Sequence, residues 1–197
     1  MPRLQADADR SRWVPITESL GLRGRRHRRV AIGMLLQQAT GALGAPSLPG
    51  GGVSAWAMSQ AVPFLMRRAA GRVLAWVWRA DPELVVVVAQ VQQATPQVRL
   101  ARSAMPKRPE DTEAFQGTYL GRGEKVTVAL PADGRTPPFA TYTWDLGPHL
   151  VSVTAVCSDR ERFGTVIGDV DALARGIRVV DDLMIGDAPT VLRIDPA

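Results

Sequence analysis

Cys157 and His149 are the first residues whose side chains could do covalent chemistry, because a thiol beside an imidazole makes a nucleophile. Their spacing works against it. Both fall in one alternating apolar run that reads as a single β-strand. Eight residues along a strand span roughly 26 Å at about 3.3 Å per residue, so the two cannot meet within one chain. Cys157 therefore reads as a small buried hydrophobe. His149 with Asp145, across the intervening turn, has the makings of an oriented base, although a histidine at such a turn is more often simply polar and exposed. His27, the other histidine, stands inside an arginine cluster that disfavours its protonation, with no nucleophile evident.

Recognisable catalytic motifs are missing from the sequence. It holds no GxSxG elbow, HExxH, Walker A or GxGxxG. Gly121-Arg122-Gly123-Glu124-Lys125 is only superficially a phosphate loop, since it lacks the Gly-Lys-Ser/Thr ending and leads into a strand. A tight turn is the better reading. Asp169, Asp171, Asp181, Asp182 and Asp187 offer oxygen ligands to a hard cation. Their spacing fits no EF-hand, and Asp169 and Asp171 point apart on a helix, so they read as solvated charge. The single cysteine excludes an internal disulfide and a CxxC metal site. No metal, cofactor or catalytic residue is expected.

Two constellations point to binding instead. Trp76, Trp78, Tyr142 and Trp144 share strand parity and would suit an aromatic-lined pocket, although such residues are more often core. Arg23, Arg25, Arg26, Arg28 and Arg29 form a cluster that suits phosphates, an acidic protein face or plain solvent. Paired arginines before Val30–Leu36 also mimic a secretory or twin-arginine signal, but Gln37 and Gln38 cut that apolar run short.

The charge is unevenly laid out. The formal net charge of +5 divides into +9 over residues 1–80 and −4 over residues 81–197. A basic front end makes nucleic acid, an anionic surface or an acidic protein face a suitable partner. Of 24 basic residues only Lys107 and Lys125 are lysine, and asparagine is absent. That usage is what a GC-rich bacterial genome would write, so the high isoelectric point counts for less than the asymmetry. With 46% hydrophobic and 22% charged residues, the chain has an ordinary soluble composition. No run of about 18 apolar residues suggests a membrane helix, and a cytoplasmic location is expected.

The elements that must hold these residues are organised around Phe139–Cys157. In this stretch Ala140, Tyr142 and Trp144 alternate with Thr141 and Thr143, and Val151, Val153, Ala155 and Cys157 alternate with Ser152 and Thr154. Pairing Trp144 with Val151 and Tyr142 with Val153 gathers the apolar residues on one face. A one-residue slip would mix the faces. The connection is then 146–149, with Gly147 and Pro148 supplying the turn.

Around this hairpin, residues 1–25 read as an irregular arm, followed by an amphipathic helix over 30–43. A Gly/Pro linker spans 44–52, and a second helix begins at Ser54 and stops near Gly71. Val73–Trp78 alternates as a strand, whereas Leu84–Val91 is apolar on both faces and should be central and covered. Thr95-Pro96 opens a short helix over about 95–105. Residues 106–116 read as loop, with a strand pair at 118–120 and 125–130. Ser158 and Glu161 fit a capping box for a helix over about 159–176. Its apolar face is Phe163, Val166, Ile167, Val170 and Leu173. Gly164 and Gly168 leave a flat spot there for something to approach. Residues 177–180 and 191–194 are short edge strands.

The expected fold is α+β: a mostly antiparallel sheet of five to seven strands packed by the 159–176 and 95–105 helices. Residues 1–70 form a basic helical arm and residues 71–197 the core domain. The order of elements resembles small α/β sandwiches such as the PsbP/Mog1-like proteins, a likeness of fold that implies no activity. The leading expectation is a non-enzymatic bacterial accessory protein that binds a protein partner, or itself, through the arm. A nucleic-acid-associated protein and a small-ligand binder or enzyme with the aromatic pocket are the alternatives.

Overall fold

The computed structural model describes residues 2–16, 71–103, 111–128 and 137–181, with the side chains of 101–103 and 181 excepted. The helices expected over 30–43 and 54–70, the arginine cluster and the 191–194 strand lie outside the described residues. The elements are β1 (Pro2–Ala6), β2 (Trp13–Pro15), β3 (Val73–Trp78), β4 (Val85–Gln93) and α1 (Pro96–Ser103). They continue with β5 (Thr112–Gly117), β6 (Gly121–Val128), β7 (Phe139–Asp145), β8 (His149–Cys157), α2 (Phe163–Arg175) and β9 (Ile177–Asp181).

Seven strands form one antiparallel sheet in the order β2-β3-β4-β8-β7-β6-β5. Two meanders, β2-β3-β4 and β5-β6-β7-β8, meet where β4 pairs with β8. The hairpin register is the one its apolar pattern selects: Trp144 opposes Val151 and Tyr142 opposes Val153. All four are fully buried. Gly147, with φ of 84°, supplies the left-handed residue of the turn, and Leu146 N–H closes it on His149 O at 2.9 Å.

One layer covers the inner face of this sheet. Phe163, Val166, Val170 and Leu173 of α2 enter the same core as Tyr142, Trp144, Val151 and Val153. Beside α2 lies a two-stranded ribbon of β1 and β9, Leu4 opposing Val179, which adds Leu4 and Ile177 to that core. On the outer face Ile16, Ala75, Val77, Val86 and Val156 make a second apolar cluster. Strand β4 is thus buried on both sides, as its unbroken valine run requires.

Residues 2–16 overturn the expected irregular arm. Leu4 and Trp13 are core residues at 4% and 2% exposure, and their strands pair with β9 and β3. Burying those two side chains offsets the ordering of a segment otherwise rich in charge. The strand pair near 118–130 is also shifted. Strand β5 occupies the end of the expected loop, and Thr118–Leu120 is the turn, followed by Gly121 at φ 71°. Phe115 and Gly117 are buried on the inward side, and Glu113 shares their strand parity at the exposed start of β5, a period hidden by polar neighbours.

The capping box does not form either. Ser158 Oγ donates to Glu83 O at 2.8 Å, tying the chain to the turn before β4. Asp159 takes over, accepting from Glu161 N–H at 2.9 Å and Arg162 N–H at 3.3 Å. The helix therefore begins at Phe163 with no side-chain cap. At α1 the expected cap is present, Val98 N–H donating to Thr95 Oγ1 at 3.3 Å.

Candidate functional site

Helix α2 carries Asp169 and Asp171, two residues apart and so on different flanks of the helix. Each is drawn to a different half of the sheet. Asp169 accepts from Arg12, beside β2, and from Trp78 Nε1–H at 3.2 Å on β3. Asp171 accepts from Tyr142 Oη–H at 2.5 Å on β7 and from Lys125 Nζ at 3.1 Å on β6. Lys125 also reaches Glu113 of β5 at 2.9 Å. The expected solvated acids are thus corrected: their side chains are 16% and 18% exposed and they clasp the helix to the sheet.

Tyr142, Asp171, Lys125 and Glu113 form one connected polar cluster, and its electrostatics decide what it can do. Burial pushes the Tyr142 hydroxyl far up, and its hydrogen bond to Asp171 adds to the rise. Burial alone would lower Lys125, but Glu113 and Asp171 outweigh it and the net shift is upward. Both groups therefore keep their protons at neutral pH. A protonated phenol and a paired ammonium are donors, not nucleophiles or bases. The group does mechanical work: it spans the gap between helix and sheet without leaving a buried charge alone.

A pH dependence follows. The unfolded chain releases these protons near pH 10 to 10.4, whereas the folded chain holds them further. Stability is therefore full below about pH 10 and falls as pH rises above it, by up to about 1.4 kcal/mol per unit for each group. Urea unfolding at a series of alkaline pH values reads this directly. Tyr142→Phe should make the decline shallower; the same slope in that variant would contradict the assignment.

The sequence-selected residues separate into distinct places. Cys157 and His149 stand at opposite ends of β8. The Cys157 thiol is buried, donates to Asp159 O at 3.1 Å and is pushed up by desolvation, which suppresses thiolate chemistry. Asp145 engages the Arg99 guanidinium and Gly147 N–H, fastening α1 to the hairpin turn.

The four aromatics share the inner face, yet two strands part Trp76 and Trp78 on β3 from Tyr142 and Trp144 on β7. Tyr142 and Trp144 pack with Phe115 instead, at ring-centroid distances of 4.7 and 5.8 Å. Trp144 Nε1–H donates to Gly121 O at 3.1 Å, and Gly117 and Gly123 lie under its indole. The Gly-Arg-Gly segment is therefore strand, with Gly123 making room for a ring. Gly164 and Gly168 are exposed on α2.

Sequence reasoning missed Phe115, Glu113 and the role of Lys125. One signal was available: Lys125 is one of two lysines in an arginine-rich chain; its place opposite Tyr142 comes from the structure.

Among the described residues no group of three or more His, Cys, Asp or Glu could hold a metal ion, and no helix is long and apolar enough to cross a membrane. The body is a mostly antiparallel α+β protein, a seven-stranded sheet with α2 and a β-ribbon on one face. No family model matches this sequence, and comparison with curated proteins gave no match.

Proposed function

We infer that this is a non-enzymatic bacterial accessory protein of the cytoplasm, which binds a partner protein or another copy of itself through the basic segment bearing Arg23, Arg25, Arg26, Arg28 and Arg29. The observation that carries this reading is where that segment sits. Strands β2 and β3 are hydrogen-bonded neighbours, Ile16 N–H bonding Ala75 O at 2.8 Å, yet residues 17–70 fall between them. A pair of adjacent antiparallel strands needs only a short turn. Residues 17–70 are more chain than that pairing needs, and they hold much of the positive charge of residues 1–80. Such a layout suits contact with an acidic protein face.

The arrangement of the inner face supports binding over catalysis: Tyr142 and Lys125 are held as proton-bearing donors, and Cys157 is a buried thiol. The exposed glycines of α2, Gly164 and Gly168, offer a second surface.

Because residues 2–16 belong to the body, the test leaves them in place. The full chain with all five arginines replaced by Gln should keep its thermal midpoint and lose partners captured with the wild-type chain from its source cells. Retention of those partners by the variant would refute the reading. If nucleic acid is what co-purifies, affinity should drop steeply between low and moderate salt, and the phosphate-binding alternative replaces the protein partner.

A further inference from the structure

The outer face of the sheet carries an unbroken apolar row. Val14 pairs with Val77, Val77 with Val86, Val86 with Val156 and Val156 with Phe139, so one line of side chains crosses β2, β3, β4, β8 and β7. Ile16 and Ala75 lie beside it. Val77, Val86 and Val156 are fully buried, which a sheet face left open to water does not achieve. Yet among the described residues every member of this cluster comes from the sheet's own strands or from Ile16 at the end of β2. Helix α2 and the β1–β9 ribbon lie on the inner face. Helix α1 is fastened to Asp145 and Gly147, at the opposite end of β7 from Phe139. The burial is reached within a single chain, so the cover belongs to the chain itself.

We propose that residues 30–43 of the same chain dock on this row, setting the stripe Ile32, Leu35, Leu36, Ala39 and Leu43 against it. The place where the chain leaves the body carries the argument. Ile16 belongs to the outer cluster, and residues 17–70 depart from it. The row extends roughly 19 Å from β2 to β7 at about 4.8 Å per strand, well within reach of the chain between Ile16 and Val30 at about 3.3 Å per residue. Other stretches fit less well. The chain returns at Gly71 beside the inner-face ribbon, Leu4 N–H bonding Gly71 O at 2.8 Å, so residues just before Gly71 approach from the other side. Residues 182–197 follow β9, which belongs to that same ribbon. Residues 104–110 and 129–136 are short and rich in proline and charge. An apolar stripe seated on an apolar row also removes from water a patch that would otherwise invite association. The seat uses none of the five arginines, so this proposal and the one above can fail independently.

Photo-cross-linking in the full chain tests it. The probe is benzoylphenylalanine in place of Val88, a half-buried residue packed against the outer cluster. After irradiation of the monomer, peptide mapping should find the probe joined to a peptide within 30–43. A probe joined to residues 54–70, to 182–197 or to a second copy, or joined to nothing, would overturn the proposal. Replacing Leu35 and Leu36 together by Ser should abolish the cross-link to 30–43, because two hydroxyls would then face an apolar row without partners. The near-ultraviolet circular dichroism of the buried Trp13, Trp76 and Trp144 should persist in that variant and shows that the body is still folded. Persistence of the cross-link there would also refute the seat. The five-arginine variant should keep the cross-link while losing its partner, which separates this proposal from the arginine reading.

Discussion

Asp171→Ala is expected to destabilise the fold by about 3 kcal/mol, the cost of removing one partner from a buried ion pair. Lys125 is 7% exposed and would keep only Glu113, whose side chain is 62% exposed. Tyr142, fully buried, would lose the acceptor of its hydroxyl. That acceptor lies on α2 while both donors lie on the sheet, so the damage falls where the two layers meet. Asp171→Asn should cost about half as much, because the amide oxygen still accepts from Tyr142 while the charge facing Lys125 is gone. Asp169→Ala should cost less, about 1 kcal/mol: its Arg12 partner is 57% exposed and returns to water, and what remains is the acceptor lost by the half-buried Trp78 indole N–H. Denaturant midpoints converted with a common m value rank the three. If Asp171→Ala proved as mild as Asp169→Ala, the cluster would not be an anchor.

The contrast between these two acids shows what the sequence made legible. Spacing alone placed Asp169 and Asp171 on different flanks of a helix, and that was correct. What spacing could not show is that both flanks rest against the sheet, because α2 is narrow relative to a seven-stranded layer and its sides as well as its base make contacts. Strand periodicity carried further. The register of β7 on β8 and the covered position of β4 follow from which residues are apolar, since burying one face fixes the pairing.

Periodicity failed where burial depends on few residues. In strand β1 only Leu4 is fully buried, Pro2 and Ala6 are half-buried and Arg3 and Gln5 are exposed, and its partner β9 lies far away in sequence. Strand β5 sets Glu113, Phe115 and Gly117 at one parity, with the last two buried and Glu113 exposed, a set with one apolar member of any size. Nothing local could tell that a lysine would neutralise the first and a tryptophan cover the last. The capping box failed for a related reason: Ser158 had a better acceptor in Glu83 O, remote in sequence.

Gly123→Ala is the second large effect, and it tests whether the glycines near 121 are loop residues or room for a ring. A Cβ at Gly123 would lie 2.6 Å from Thr143 O and 2.7 Å from Cδ1 and Nε1 of Trp144. Neither neighbour can give way. Thr143 O belongs to the backbone of β7, the strand beside β6, and Trp144 is fully buried with its Nε1–H committed to Gly121 O. Relief requires β6 and β7 to part or the indole to leave its seat. The expected loss is about 3 kcal/mol, the upper part of the range for overpacking a core.

Gly117→Ala is milder, since its Cβ would stand 3.1 Å from Trp144 Nε1 with no backbone atom nearer than the indole; about 1 kcal/mol is expected. Gly168→Ala has the opposite sign, a gain of about 1 kcal/mol from helix propensity in open space. Combining Gly123→Ala with Trp144→Phe should recover only part of the loss predicted for the pair, because the clash with Thr143 O persists. Full additivity of those two changes, or a Gly123→Ala protein as stable as wild type, would mean that the ring does not rest on Gly123.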